Sequence, residues 1–218
     1  MPSAHLKHFR QLWGSTCNGM WHEIAAIYAL ETHLRYTYGT TGPEAPITRV
    51  TYAPGCEGRL NHSIAASLKR LPALIDEAVM LRVVMLSAGF EAYFEEFLGS
   101  FLRNRKKYYA AGALTTDGNR VQGNVRKCAG PKARVLAFGA ETGAGIKEIL
   151  PQLGVVQEMY ALRNCLAHDA GICDAGTKAQ VTVVPVQVGR PLRVEPEFLV
   201  TTLAEPCIRT AEVLDRKI

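Results

Sequence analysis

Apolar residues recur at three- and four-residue intervals along most of this chain, which predicts a protein built mainly from α-helices. From His5 to about Tyr36 the period is marked by Trp21, Ile24, Ala25, Tyr28 and Leu34, with Gly14 and Gly19 as interruptions, so that one broken helix or two is expected. Turn formers then crowd residues 37–59, from Gly39 through Pro43 and Pro46 to Pro54 and Gly55, and predict a long loop with an extended piece at 47–52. A second helical run starts near Leu60 and is broken at Pro72. From Ala73 to about Tyr108 the longest periodic segment follows, with Val79, Val83, Leu86, Phe90, Phe94, Phe97 and Phe101 on one stripe and Val84, Met85 and Ala88 widening it. It is the expected central helix, covered on more than one side.

Beyond it, residues 103–145 read as a basic connector. Residues 146–168 return to helical spacing, with Val155, Met159, Leu162 and Leu166 on the core-facing side, and the period changes to two at Val181, Val183 and Val188. That alternation predicts a small β-hairpin over 179–195, turning at Gly189-Arg190, before a closing helix over about 196–217 that contains Pro206. The expectation is one all-α domain over 1–218, an antiparallel helical bundle with a long central helix and a small hairpin near the C-terminus.

Composition narrows the function classes. The 218 residues are 48% hydrophobic and 21% charged, as expected of a globular chain with a sizeable core. There is no apolar signal core at the N-terminus and no uncharged run long enough to span a bilayer, so a cytoplasmic protein without membrane contact is expected. The six cysteines are scattered with no Cys-x-x-Cys pair, and neither they nor the six histidines fall in metal-ligand spacing, so neither metal nor cofactor is expected. The Gly139–Lys147 stretch lacks the Gly-Lys-Ser/Thr ending of a phosphate loop and reads as a turn.

The net charge of +5 is concentrated after the central helix. Arg103, Arg105, Lys106, Lys107, Arg120, Arg126, Lys127, Lys132 and Arg134 are interleaved with a single acid, Asp117. With Tyr108 and Tyr109 alongside, this segment suits phosphate contact and base stacking on single-stranded RNA; a solvated helix end and connector is the other reading. Arg103, Arg105, Lys106, Lys107, Tyr108, Arg126 and Lys127 are the candidate RNA-binding residues.

The chemistry concentrates in Leu162-Arg163-Asn164-Cys165-Leu166-Ala167-His168-Asp169-Ala170-Gly171. A fixed cation and a proton carrier lie five positions apart at a helix end, a pairing suited to moving a proton while negative charge builds on a phosphate. Alternatively, His168 serves the helix macrodipole, Gly171 caps the helix, and Arg163 is a surface residue. A thiol nucleophile at Cys165 or Cys173 lacks an oxyanion-hole signature. Glu91, among apolar neighbours on the central helix, calls for a partner, with Arg163, Arg82 or solvent as the choices. Glu91 and Glu95, one turn apart, cannot flank a glycosidic bond.

Arg163-Asn164-x3-His168 resembles the motif of the HEPN family (higher eukaryotes and prokaryotes nucleotide-binding domains), in which an Arg, commonly with a neighbouring Asn, is followed after four to six residues by His. The resemblance implies a metal-independent endoribonuclease of toxin or antiviral-defence type that cuts RNA by 2′-hydroxyl attack, leaving a cyclic phosphate and a 5′-hydroxyl. It implies Arg163, Asn164 and His168 as catalytic residues, a homodimer that brings two motifs together, and a cognate antitoxin or other regulatory protein; Glu91, read from its apolar surroundings as the partner of Arg163, would orient that guanidinium. A non-catalytic dimerisation or RNA-binding module of the same fold is the alternative.

Overall fold

The computed structural model describes residues 2–43, 50–53, 56–58 and 63–218. The chain is all-α in class, as the periodicity predicts. In chain order the elements are α1 (Ala4–Thr41), β1 (Val50–Ala53), β2 (Cys56–Gly58), α2 (Ile64–Asn104), β3 (Tyr109–Ala110), β4 (Ala113–Leu114), α3 (Thr116–Lys127) and α4 (Gly130–Thr142). A 3₁₀ turn (Lys147–Ile149) leads into α5 (Leu150–His168), followed by α6 (Ala175–Gln180), α7 (Pro196–Phe198), a π-turn (Leu199–Ala204) and α8 (Glu205–Asp215). They form two compact units, Met1–Cys17 with Met80–Ile218 and, separately, Asn18–Val79, and α1 and α2 each contribute to both.

In the smaller unit, α1 buries Met20, Ile24, Ile27 and Leu34, and α2 buries Ile64, Leu71, Ala78 and Val79. β1 pairs antiparallel with β2. Neither Gly14 nor Gly19 interrupts α1, which continues to Thr41, so the first residues of the expected 37–59 loop are helical. The parts of that loop at 44–49, 54–55 and 59, and Leu60 after it, lie outside the described residues. Pro72 does not break α2: a proline removes one i→i−4 hydrogen bond, and here the flanking burial of Leu71 and Val79 holds the helix through the gap.

The larger unit is organised around the aromatic face of α2. Phe90, Tyr93, Phe94, Phe97, Leu98, Phe101 and Leu102 are buried, whereas Met85 and Ala88, expected on the apolar face, are exposed. On one flank Phe9 of α1 stacks on Tyr93 with ring centroids 5.4 Å apart. Gly89 makes this approach possible, since a Cβ there would lie 2.6 Å from Leu12 Cδ2. Across the face Phe138 of α4 presents its ring edge-on to Phe97 at 5.1 Å and to Phe101 at 4.9 Å. The Tyr93 hydroxyl donates to the Ala211 carbonyl of α8 at 2.7 Å. α4 packs on α5, and α5 on α8.

Residues 103–145, expected as a connector, hold two ordered helices. Arg120 and Asn124 of α3 donate to Glu141 of α4 at 2.6 and 2.7 Å, which together hold the Glu141 carboxyl below its usual range, the Asn124 bond contributing most. Arg126 donates to Glu95 of α2 at 2.9 Å, with Arg134 3.7 Å from the same carboxylate.

The hairpin expected over 179–195 is not formed. Residues 175–180 are helical, capped by Asp174, which accepts from the Thr177 amide at 2.6 Å. The Thr182 and Val183 amides then donate to Glu158 of α5 at 2.6 and 2.7 Å instead of to a strand. The closing helix runs as expected with a local change: Pro206 has no N–H to give the turn before it, and that turn is π-helical.

Phe138, fully buried, meets the rings of Phe94, Phe97 and Phe101 of α2. Phe138→Ala is expected to lower unfolding free energy by about 3–5 kcal/mol in urea titration, whereas Tyr36→Ala, at a site 75% exposed, changes it by less than about 0.5 kcal/mol.

Candidate functional site

α5 buries a broad stripe, Leu153, Val156, Met159, Ala161, Leu162 and Cys165, whose three-residue steps of about 300° carry it round more than one side of the helix. Val155 and Leu166, expected on this stripe, lie beside it and are half-buried. Arg163 and Asn164 follow at the flank and His168 closes the helix, exposed to solvent.

Arg163 is held locally. Its Nη1 donates to Asn164 Oδ1 at 2.9 Å, and its guanidinium carbon lies 5.9 Å from the centre of the Tyr160 ring. Its Nε is buried with no acceptor among the described residues. The expected ion pair with Glu91 is absent: that half-buried carboxylate makes no hydrogen bond or ion pair with Arg163, whose own helix supplies its neighbours. His168 has no hydrogen-bonding partner among the described residues. Five helical positions separate it from Arg163 by about 140° of rotation, so the two side chains start from different sides of α5.

The helix ends on two consecutive left-handed residues, Ala170 (φ 51°) and Gly171 (φ 77°). Cys165 O accepts from both the Asp169 and Gly171 amides, at 3.0 and 3.1 Å. Three more backbone bonds tie this end to the segment that failed to form a hairpin: Leu192 to Gly171 at 2.7 Å, Gly189 to Cys173 at 2.8 Å and Cys173 to Arg190 at 3.0 Å, donor first.

That docking creates a cavity of about 520 Å³ lined by Cys173, Gln187, Arg190, Arg193, Glu195 and Phe198 among others. Two further arginines thus stand by the loop that leaves His168. Nothing in the sequence marked them as neighbours of the motif: they flank Pro191-Leu192 in the stretch expected as a hairpin. Cys173 and Cys165 face each other with sulfurs 4.0 Å apart. Burial, with the Cys165 neighbour second, pushes the Cys173 thiol up to about 11, so it is protonated at neutral pH and unsuited to nucleophilic attack. Among the described residues no group of three or more His, Cys, Asp or Glu side chains is placed to hold a metal ion.

The basic residues do not converge on the motif. Arg105 and Lys107 line a different cavity with Arg216 and Lys217, and the latter two are bound to Glu148, just before α5 begins. α5 has 19 residues, so His168 lies about 28 Å away at its other end. Arg103 donates to Ser100 at 3.0 Å. Tyr108 is only 4% exposed, with its ring packed near Phe101, which removes it as a stacking platform for bases. Lys106 and Lys127 are exposed.

The left-handed pair sets the geometry after His168 and is open to test. Gly171→Ala is expected to cost about 1–2 kcal/mol in thermal unfolding, and Ala170→Gly to stabilise by up to about 1 kcal/mol through release of the same strain. No protein-family model, curated protein or solved structure matches the chain.

Proposed function

We propose that the chain is a metal-independent endoribonuclease of toxin or antiviral-defence type, acting in the cytoplasm as a homodimer and controlled by a cognate antitoxin or other regulatory protein. The observation that carries the reading is the end of α5, where Arg163 is held by Asn164 and an exposed His168 stands on a rigidly capped turn. Cleavage begins when the RNA 2′-hydroxyl attacks the adjacent phosphorus. The 5′-oxygen of the next nucleotide then leaves, giving a 2′,3′-cyclic phosphate and a 5′-hydroxyl. His168 takes the proton from the nucleophile or gives one to the leaving oxygen. The Arg163 guanidinium stabilises the charge on the phosphorane-like transition state, and Asn164 fixes that guanidinium in place. Arg190 and Arg193 border the cavity beside this turn and suit contact with the flanking strand.

A non-catalytic dimerisation or RNA-binding module is the second reading. It is favoured by the separation of Arg163 and His168 around the helix and by the lack of any described group that orients the imidazole.

Incubation with total RNA in the presence of a chelator separates the two. The enzyme reading expects cleavage with cyclic-phosphate ends, lost about 100-fold or more in His168→Ala and in Arg163→Ala while circular dichroism shows the fold retained. Cleavage that survives both substitutions, or that needs added metal, overturns it; RNA retained but uncut, in a salt-dependent manner, establishes the binding module.

A further inference from the structure

We propose that the cavity at the opposite end of α5 from His168 is a binding site for a polyphosphate group. It measures about 500 Å³, within the range of small-ligand pockets, and lies between the end of α2, the Gly143–Gly145 turn and the residues after α8. Four cations line it, Arg105, Lys107, Arg216 and Lys217, and no carboxylate does. Among the described residues the one acid that pairs with them is Glu148, which accepts from Arg216 Nη2 at 3.1 Å and Lys217 Nζ at 3.3 Å. Four positive charges set against one negative leave an excess of three.

The site is built rather than a scatter of surface lysines. Arg105 Nη2 donates to the Lys217 carbonyl at 3.1 Å, which pins the end of the chain after α8 to the end of α2. The Arg105 guanidinium also stands 5.2 Å from the centre of the Phe101 ring, and the Lys107 ammonium 5.3 Å from that of Tyr108. These ring faces orient the two cations without neutralising them, because the attraction comes from a quadrupole and not from a counter-charge. The Lys107 ammonium makes no hydrogen bond or ion pair with a described residue, and Arg105 has no carboxylate partner among them. On the remaining wall, Gly143 (φ 71°) and Gly145 bring bare backbone to the mouth, and the Gly145 amide donates to no described residue. Like charges gathered without counter-charges repel, so the arrangement is relieved by a compact polyanion. With Phe101 and Tyr108 both buried, no ring is left open to stack on a base, so recognition falls on the phosphates.

Two sources supply this chemistry, a free nucleoside triphosphate and the 5′-triphosphate end of an RNA. Calorimetric titration of the full chain with tripolyphosphate is expected to show saturable binding. Arg105→Gln combined with Lys217→Gln weakens it at least tenfold, and Glu148→Gln tightens it severalfold by removing the competing carboxylate. Lys107→Gln removes a side chain with no hydrogen bond to lose; it weakens binding severalfold with the thermal midpoint unchanged, which separates a ligand role from misfolding. His168→Ala and Arg163→Ala leave the affinity as it is, so this site stands or falls apart from RNA cleavage. Binding of ATP or GTP as tight as that of tripolyphosphate assigns the site to free nucleotide. A preference for a 5′-triphosphate oligoribonucleotide over both those nucleotides and its 5′-hydroxyl counterpart assigns it to an RNA end. Absence of saturable tripolyphosphate binding, or binding unchanged in the Arg105/Lys217 and Lys107 variants, overturns the proposal.

Discussion

The aromatic face of α2 between Phe90 and Phe101 is the constraint on which the larger unit depends. A helix that is apolar on more than one side has to be covered on more than one side. Here the start of α1 covers one flank through Phe9, and α4 covers the opposite part of the face through Phe138. The Tyr93 hydroxyl would be costly to bury unpaired, and its bond to the Ala211 carbonyl brings α8 to a fixed height along α2. With α4 and α8 placed, α5 has a defined slot against both, and its buried stripe from Leu153 to Cys165 leaves Arg163 and Asn164 at the flank of that slot. The orientation of Arg163 is therefore a consequence of phenylalanine packing several side chains away.

α5 then separates two chemically different ends. At its start the cations come from the ends of α2 and α8, and at its finish they come from α5 itself and from the 187–193 segment bound to it. At about 1.5 Å of rise per residue the helix keeps these groups further apart than a single phosphate contact can bridge. The screening length in physiological salt is about 8 Å, so neither cluster strengthens the other through solvent. Each must be understood with its own ligand.

Much of this arrangement was legible in the sequence, and the parts that were not share a cause. The central helix, the motif helix and the left-handed close at Gly171 followed from apolar spacing and a terminal glycine, signals that local geometry alone determines. Val181, Val183 and Val188 alternate as a strand would, yet the amides that a strand neighbour would have taken are claimed by Glu158, an acid on another helix. Charge clustering misled in a similar way. Arg103 to Lys107 and Arg126 to Lys127 are close in sequence to one another, but Arg126 turns to Glu95 while Arg105 turns to the Lys217 carbonyl. Conversely, the segment that carries Arg190 and Arg193 is brought to the loop after His168 by three backbone hydrogen bonds, from Leu192 to Gly171, Gly189 to Cys173 and Cys173 to Arg190, a kind of contact that leaves no trace in residue type.

The rigidity of the turn after His168 bears on how the motif can act. Cys165 O holds two amides, and Gly171 and Cys173 are each bonded to the 189–192 segment, so the backbone here cannot swing His168 round α5 toward Arg163 without breaking several hydrogen bonds at once. Each broken bond costs about 0.5–1.5 kcal/mol net, and the loss of all of them approaches a sizeable part of a domain's stability. Arg163, for its part, is tethered by Asn164 and lies near the Tyr160 ring. If one phosphate is to meet both a proton carrier and a fixed cation here, the missing partner has to come to the helix end instead of the helix rearranging to meet it. Within the chain, among the described residues, the segment tied to that end carries Arg190 and Arg193, which line the cavity beside it. Beyond it, a second copy would present its own Arg163 on a helix of the same rigidity, so complementarity between two fixed surfaces, and not flexibility of either, is what catalysis at this motif would demand.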